Sequence, residues 1–310
     1  MTGGQPVPSE RTGFSRRRLL LAAGTTAGVG TAAGAGLGIR AALGTSPPPV
    51  ADVPLGPQPA GLPGRQHAWE AFLAVDAVGN PVPPRFGRLL FFDVSGDPAP
   101  VHARLLEAAL RTLERAYPWE PAGLLFTVGW GPRYFRDVLK ALSPVPAASA
   151  LSGFEQPAVD DYHLCLHLAS DDEARLAAIE AAFTRGAPLP LSDQGEGGQL
   201  DVASVLRWRQ TRSGFVGGGL PASRQDVNGI PGGHPVPGDA PLFMGFKSGL
   251  RRNQASEDDV TITDGPFTGG TTMHVSYLRL RLGTWYGQLS QRERVARMYA
   301  PQVTPEQASA

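Results

Sequence analysis

Glycine and proline decide where this chain can hold regular structure, because they crowd into two stretches. Pro47, Pro48, Pro49, Pro54, Pro57, Pro59 and Pro63 punctuate residues 45–64, and Gly217, Gly218, Gly219, Pro221, Pro231, Gly232, Gly233, Pro235 and Pro237 fill much of 213–241. Proline has no backbone N–H and glycine is costly to order, so neither stretch can carry a hydrogen-bond ladder. The first reads as an extended tether. The second reads as a long irregular loop, a length usually kept for function. Regular elements are therefore expected at 65–212 and again at 242–310. Although the 310 residues include 39 Gly and 30 Pro, 42% are hydrophobic, enough for a packed core.

Residues 1–44 carry a different pattern. Ser15-Arg16-Arg17-Arg18-Leu19-Leu20 precedes a weakly apolar run to Ile39, and Ala42-Leu43-Gly44 supplies small residues for cleavage. This is the grammar of an export signal. Paired arginines before a core so diluted by Gly, Ala and Thr resemble a twin-arginine signal, which implies cargo exported after folding. The expected destination is the cell envelope or the extracellular space, with membrane contact only through this segment. An uncleaved anchor is the competing reading, since about 20 apolar residues can span a bilayer.

Charge excludes another class. The chain has 28 Lys+Arg and 28 Asp+Glu, and beyond residue 44 there remain 23 basic and 27 acidic side chains. A mildly acidic body is no nucleic-acid binder. Cys165 is the single cysteine, so no internal disulfide can form.

The apolar run Arg88–Val94 predicts a buried strand, and Val101, Leu105, Leu106, Ala109, Leu110 and Leu113 recur at helical spacing. Gly123–Gly129 predicts a second strand, Pro132–Phe135 a turn or short helix, and Tyr162–Leu168 a third strand. Ser170-Asp171-Asp172-Glu173 has capping-box spacing ahead of a helix to about Phe183, and 205–211 predicts a further strand. The order strand, helix, strand, strand, helix, strand is that of a split β-α-β, ferredoxin-like half. The expected class is α+β, an antiparallel sheet with helices on one face. Beyond 242 the alternation of Met273–Leu282 predicts a strand, and Ser290-Gln291-Arg292-Glu293 caps a helix to about Met298, an incomplete second half.

Several chemical signatures are missing. There is no GxGxxG after a strand, no phosphate loop, and no Gly-x-Ser-x-Gly elbow. His163, Cys165 and His167 share one face of the third predicted strand. Adjacent positions on one strand seldom converge on tetrahedral geometry, so they read as two ordinary histidines and a buried thiol. His67, His102 and His234 stand in the tether, a helix start and a Gly-Pro loop. His274, in the strand after the glycine-rich loop, reads first as a core-edge histidine. Met244–Asn253 is the densest unusual segment, Met-Gly-Phe-Lys-Ser-Gly-Leu-Arg-Arg-Asn, and fits either a tight turn with a solvated basic rim or a loop that gathers amides and cations around an anion.

The order of these pieces resembles the dye-decolorizing haem peroxidases. Gly245-Phe246-Lys247-Ser248-Gly249, then Gly265-Pro266-Phe267-Thr268-Gly269-Gly270, a strand ending Leu278-Arg279-Leu280-Arg281-Leu282, and Thr284-Trp285 before a Ser-initiated helix follow the family's loop, strand and helix. Upstream, Val128-Gly129-Trp130-Gly131-Pro132 is similar to its Gly-x-Gly-Pro exit, and Ser213-Gly214-Phe215 to its Gly-Phe before the haem loop. The resemblance spans about 85–300 and implies haem as cofactor, with Gly245, Phe246, Lys247, Ser248, Gly249 and Arg279 lining it and His274 or a partner chain supplying the axial donor.

Two departures shape the expectation. Ser248 stands where the family has its distal Asp, and a hydroxyl cannot take peroxide's proton as a carboxylate does. The family's proximal His and distal Arg lie beyond the point where this chain ends, so the second half is expected to be truncated, with an open edge for a second copy or a complementing chain. The resemblance thus implies either a haem peroxidase-like oxidoreductase or a catalytically silent exported binding or assembly protein on the same scaffold.

Overall fold

In a computed structural model of the chain, the described residues are 53–77, 79–97, 99–150, 152–192, 194–217, 220–223, 244–246, 259–264 and 267–299. They fall into two units, one drawn from 53–75, 81–214 and 259–274, the other from 76–80, 215–223, 244–246 and 275–299. The expected export signal at 1–44, His234 and most of the 213–241 loop lie outside the described residues.

The first unit is α+β. Its strands are β1 (Phe86–Val94), β2 (Leu125–Trp130), β3 (Leu164–Ser170) and β4 (Leu206–Phe215), with α1 (Pro100–Ala116) between β1 and β2 and α2 (Glu173–Arg185) between β3 and β4. They form one sheet in the order β2-β3-β1-β4. β3 is antiparallel to both β1 and β2, which excludes a parallel doubly wound sheet.

Register explains which face is buried. Leu90 pairs with Leu166 and Phe92 with Leu164, while Phe126 and Val128 lie opposite Leu168 and Leu166, so these side chains share one face. That face meets the helices. Phe92 touches the Phe183 ring of α2, Trp119 packs edge-on to Phe126, and Arg88 pairs with Glu180. Leu106, Leu110 and Leu113 of α1 and Leu176 and Ile179 of α2 complete the core. Each such side chain, fully buried, contributes about 1.5–3 kcal/mol.

Helix ends follow local chemistry. Pro100 occupies the first turn of α1, where its missing N–H costs nothing. α2 ends at Gly186 with φ 64°, the left-handed conformation that glycine adopts freely. Its start differs from the expected box: Asp172 caps it, accepting from Ala174 N and Arg175 N at 2.9 and 3.2 Å. Ser170 is fully buried at the end of β3, and its hydroxyl donates instead to the Gly123 carbonyl at 2.7 Å. Its oxygen still accepts from Asp172 N at 3.1 Å, one residue before the helix, so Ser170 ties the end of β3 to the cap and Asp172 caps α2 itself.

The opposite face of the sheet carries Phe91, Asp93, Cys165 and His167, and the segment before β1 covers part of it. Trp69 lies 5.0 Å from the His167 ring. The outer edge of β2 is closed by one side chain, because the Gln66 amide donates to Val128 O at 2.8 Å and accepts from Val128 N at 2.9 Å. The Pro-rich stretch also touches the body: Arg104 donates to Val53 O and Arg115 to Leu55 O. It has no regular structure from 53 to 64, as its prolines require.

The second unit contains α3 (Leu220–Ser223), α4 (Leu282–Gly287) and α5 (Gln291–Tyr299). Among the described residues of the 213–241 stretch, α3 is a short helical turn that its Gly and Pro content did not predict. The Ser290 box forms as expected, with Glu293 N donating to Ser290 Oγ at 3.3 Å and Ser290 N donating to Glu293 Oε2 at 2.8 Å. The expected strand at 273–282 does not form: residues 272–281 have no ladder among the described residues. Alternation selects a face, but a strand also needs a partner for its N–H and C=O groups. Met273, Val275, Tyr277, Leu278 and Leu280 are all exposed. Among the described residues no helix is long and apolar enough to cross a membrane.

Candidate functional site

Gly245 has φ +83°, a conformation that a side chain would strain, and it turns the chain so that Phe246 faces the C-terminal helices. The Phe246 ring meets Trp285 of α4 at 6.2 Å and Tyr299 of α5 at 5.5 Å, both edge-on. Trp285 Nε1 donates to Met244 O at 2.9 Å. Thus the Gly-Phe loop and the Thr-Trp helix, about 40 residues apart in sequence, form one aromatic group. Lys247, Ser248 and Gly249 lie outside the described residues.

His274 and Arg279 are placed differently from Phe246. Both are exposed on the extended stretch 272–281. A haem axial donor works from a pocket whose polarity and access the protein controls. His274, which follows the loop in sequence, is exposed, so the described residues around it form no such pocket.

A second constellation was not found from the sequence. Asp93 stands one residue before the end of β1 with its side chain only 3% exposed, and three guanidinium groups converge on it. Arg209 Nη1 is 2.7 Å from Oδ2, Arg207 Nη2 is 3.3 Å from the same oxygen, and Arg133 Nη1 is 3.3 Å from Oδ1. Arg207 and Arg209 alternate along β4, which puts both on one side of that strand. Arg133 also reaches Asp137 Oδ2 at 3.0 Å and the Asp161 carbonyl at 3.0 Å. Asp137 opens out to Arg136, and those two partners, Arg136 first, pull its carboxyl down to about 2. The signal was present: a carboxylate inside Leu-Leu-Phe-Phe-Asp-Val has to be paired to be buried.

His163 borders this cluster. It precedes β3, its N–H donates to Phe92 O at 3.1 Å, and its ring Nδ1 accepts from Val94 N at 3.0 Å. Burial, more than its charged neighbours, holds its pKa below the ordinary histidine range. A π turn at Tyr134–Val138 brings Tyr134 up to the imidazole, ring centres 6.4 Å apart, and Trp130 stacks on that tyrosine at 4.1 Å. Burial pushes the Tyr134 hydroxyl up to about 12.

Cys165 and His167 share a face, as the spacing predicts, and the His163 ring sits beside Asp93 of that same face, 4.0 Å from Oδ1. Burial raises the Cys165 thiol to about 12, so it is neither a nucleophile nor a ready ligand at neutral pH. Among the described residues no group of three or more metal-binding side chains is gathered. His67 Nε2 is 3.1 Å from Thr261 Oγ1, a structural contact.

Residues 84–310 match the family model described as a family of unknown function, DUF7405. The chain belongs to that family. The match opens two residues before β1, so residues 1–44 and the Pro-rich stretch stand outside it, while the Asp93 cluster and the Gly-Phe loop stand within. No curated protein matches the chain.

Proposed function

We propose that this is an exported binding or assembly protein built on a dye-decolorizing peroxidase-like scaffold and silent in peroxide turnover. The carrying observation is the stretch 272–281, where His274 and Arg279 face water alongside exposed Met273, Val275, Tyr277, Leu278 and Leu280. Extended apolar chain that belongs to no ladder among the described residues suits pairing with a second copy or a complementing chain. The strand order β2-β3-β1-β4 supports a ferredoxin-like first half. Ser248 at the position of the distal acid argues against peroxide heterolysis, although by scaffold the protein belongs with haem-dependent oxidoreductases.

Haem titration of the purified chain, followed by absorbance, tests this reading. Binding is expected to be weak, and His274→Ala should abolish what there is. A tight stoichiometric complex that survives the substitution and consumes peroxide would promote the enzyme reading in its place. Export is tested separately. Arg16→Lys with Arg17→Lys should hold the protein in the cytoplasm, and undiminished export would remove the twin-arginine assignment.

A further inference from the structure

The Asp93 carboxylate has two faces. Oδ2 is taken by Arg207 and Arg209, but Oδ1 has only Arg133 at 3.3 Å, and His163 Nδ1 waits 4.0 Å away. That nitrogen is held as an acceptor by the Val94 N–H, so the ring proton sits on Nε2. Nε2 is buried and has no hydrogen-bond partner, although the side chain is only 9% exposed. The neutral ring is therefore fixed by one bond alone, the one that a second proton destroys.

We propose that His163 is an acid-operated latch, which leaves Asp93 to Arg133 when neutral and takes Asp93 Oδ1 when charged. A proton from solvent binds Nδ1, and two N–H groups then confront each other where Val94 had donated. The Val94 amide loses its acceptor. The new Nδ1–H turns to Oδ1, 4.0 Å away, and competes there with Arg133. Arg133 keeps Asp137 and the Asp161 carbonyl, so its release loosens the link between β1 and the segment from Gly131 to Ala141 without unfolding the sheet.

The groups facing the ring set the direction. Asp93 on β1, Asp137 on the π turn and Asp161 before β3 favour the charged form, whereas burial and Arg133 oppose it, burial most. Arg207 and Arg209 on β4 already share the far oxygen of Asp93. Tyr134 stays protonated throughout, with its hydroxyl raised to about 12. The ring is thus neutral at pH 7, and the latch operates as pH falls below the usual histidine value.

The experiment uses the full chain labelled with ¹⁵N. At pH 7.5 the imidazole shifts of His163 should identify Nδ1 as the unprotonated nitrogen. Between pH 7.5 and 4.5 the Val94 amide should lose about tenfold in exchange protection after correction for intrinsic rate, and peptides covering 131–141 should follow with the same midpoint. His163→Asn offers an uncharged acceptor to Val94 and should leave both constant relative to the amides of β3, which report any loss of global stability. A proton on Nδ1 at pH 7.5, Val94 protection in the wild type that is pH-independent relative to the amides of β3, or the same relative transition in His163→Asn would each overturn the latch. If His163→Asn does not fold, the wild-type titration decides alone, because the imidazole and the Val94 amide must share one midpoint.

Discussion

Gly131→Ala is expected to cost about 3 kcal/mol of stability and to lower the unfolding midpoint by roughly 6–12 °C. Gly131 follows β2 where the chain leaves the sheet, and its N–H donates to His163 O at 2.9 Å. A methyl group there would stand 2.2 Å from the Tyr162 carbonyl oxygen and 3.4 Å from its carbon. Both are backbone atoms of the neighbouring segment, so no side-chain rotation relieves the overlap. The two strand ends must part, which breaks the Gly131–His163 bond and strains the Trp130–Leu164 pairing beside it. Gly153→Ala is the control, since nothing lies within 4 Å of the added carbon. Thermal unfolding of the two variants should separate them clearly, and equal midpoints would mean that the close approach at Gly131 is relaxed in solution.

The same glycine marks the reach of local pattern. Val128-Gly129-Trp130-Gly131-Pro132 reads as a strand exit by its resemblance to a known turn, yet the reason for glycine is the carbonyl of Tyr162, far along the chain. Within the first unit, local spacing places the elements closely. The expected strand 88–94 is Phe86–Val94, 123–129 is Leu125–Trp130, and 162–168 is Leu164–Ser170. Apolar spacing reports burial directly, so strands and helices that build one core announce themselves.

Four features needed the third dimension. Ser170 stays in β3, tied to Gly123 O of another segment, so the helix starts two residues later than the box implied, with Asp172 as its cap. The Asp93 cluster joins residues from β1, the start of the π turn and β4. Its paired status was implied by burial, but its partners were not. The 273–282 alternation predicted a face without a neighbour, and the ladder is absent among the described residues. The contact between Phe246 and Trp285 was likewise not read from the sequence, since about 40 residues separate them.

Acid should weaken the protein chiefly through His167. Its ring lies against Trp69 on the face of the sheet opposite the helices, in register with Leu89 and Thr127, and burial pulls its pKa down to about 4. The unfolded chain takes up this proton near the usual 6.5, whereas the folded chain refuses it until about 4. The stability due to the neutral ring is therefore complete above pH 6.5, and it is lost as pH falls from there to about 4. Two and a half units at 1.36 kcal/mol each amount to about 3 kcal/mol. Cation–π attraction from Trp69 to the charged ring works in the other direction, by about 0.5–1 kcal/mol, and does not reverse the sign. Denaturant unfolding of wild type and His167→Gln at pH 7.5 and 4 isolates the effect, because other carboxylates and His163 titrate in both proteins. The wild type should lose about 2–3 kcal/mol more than the variant over that interval. Parallel losses would show that His167 is hydrated in the folded state and takes its proton at the ordinary pH.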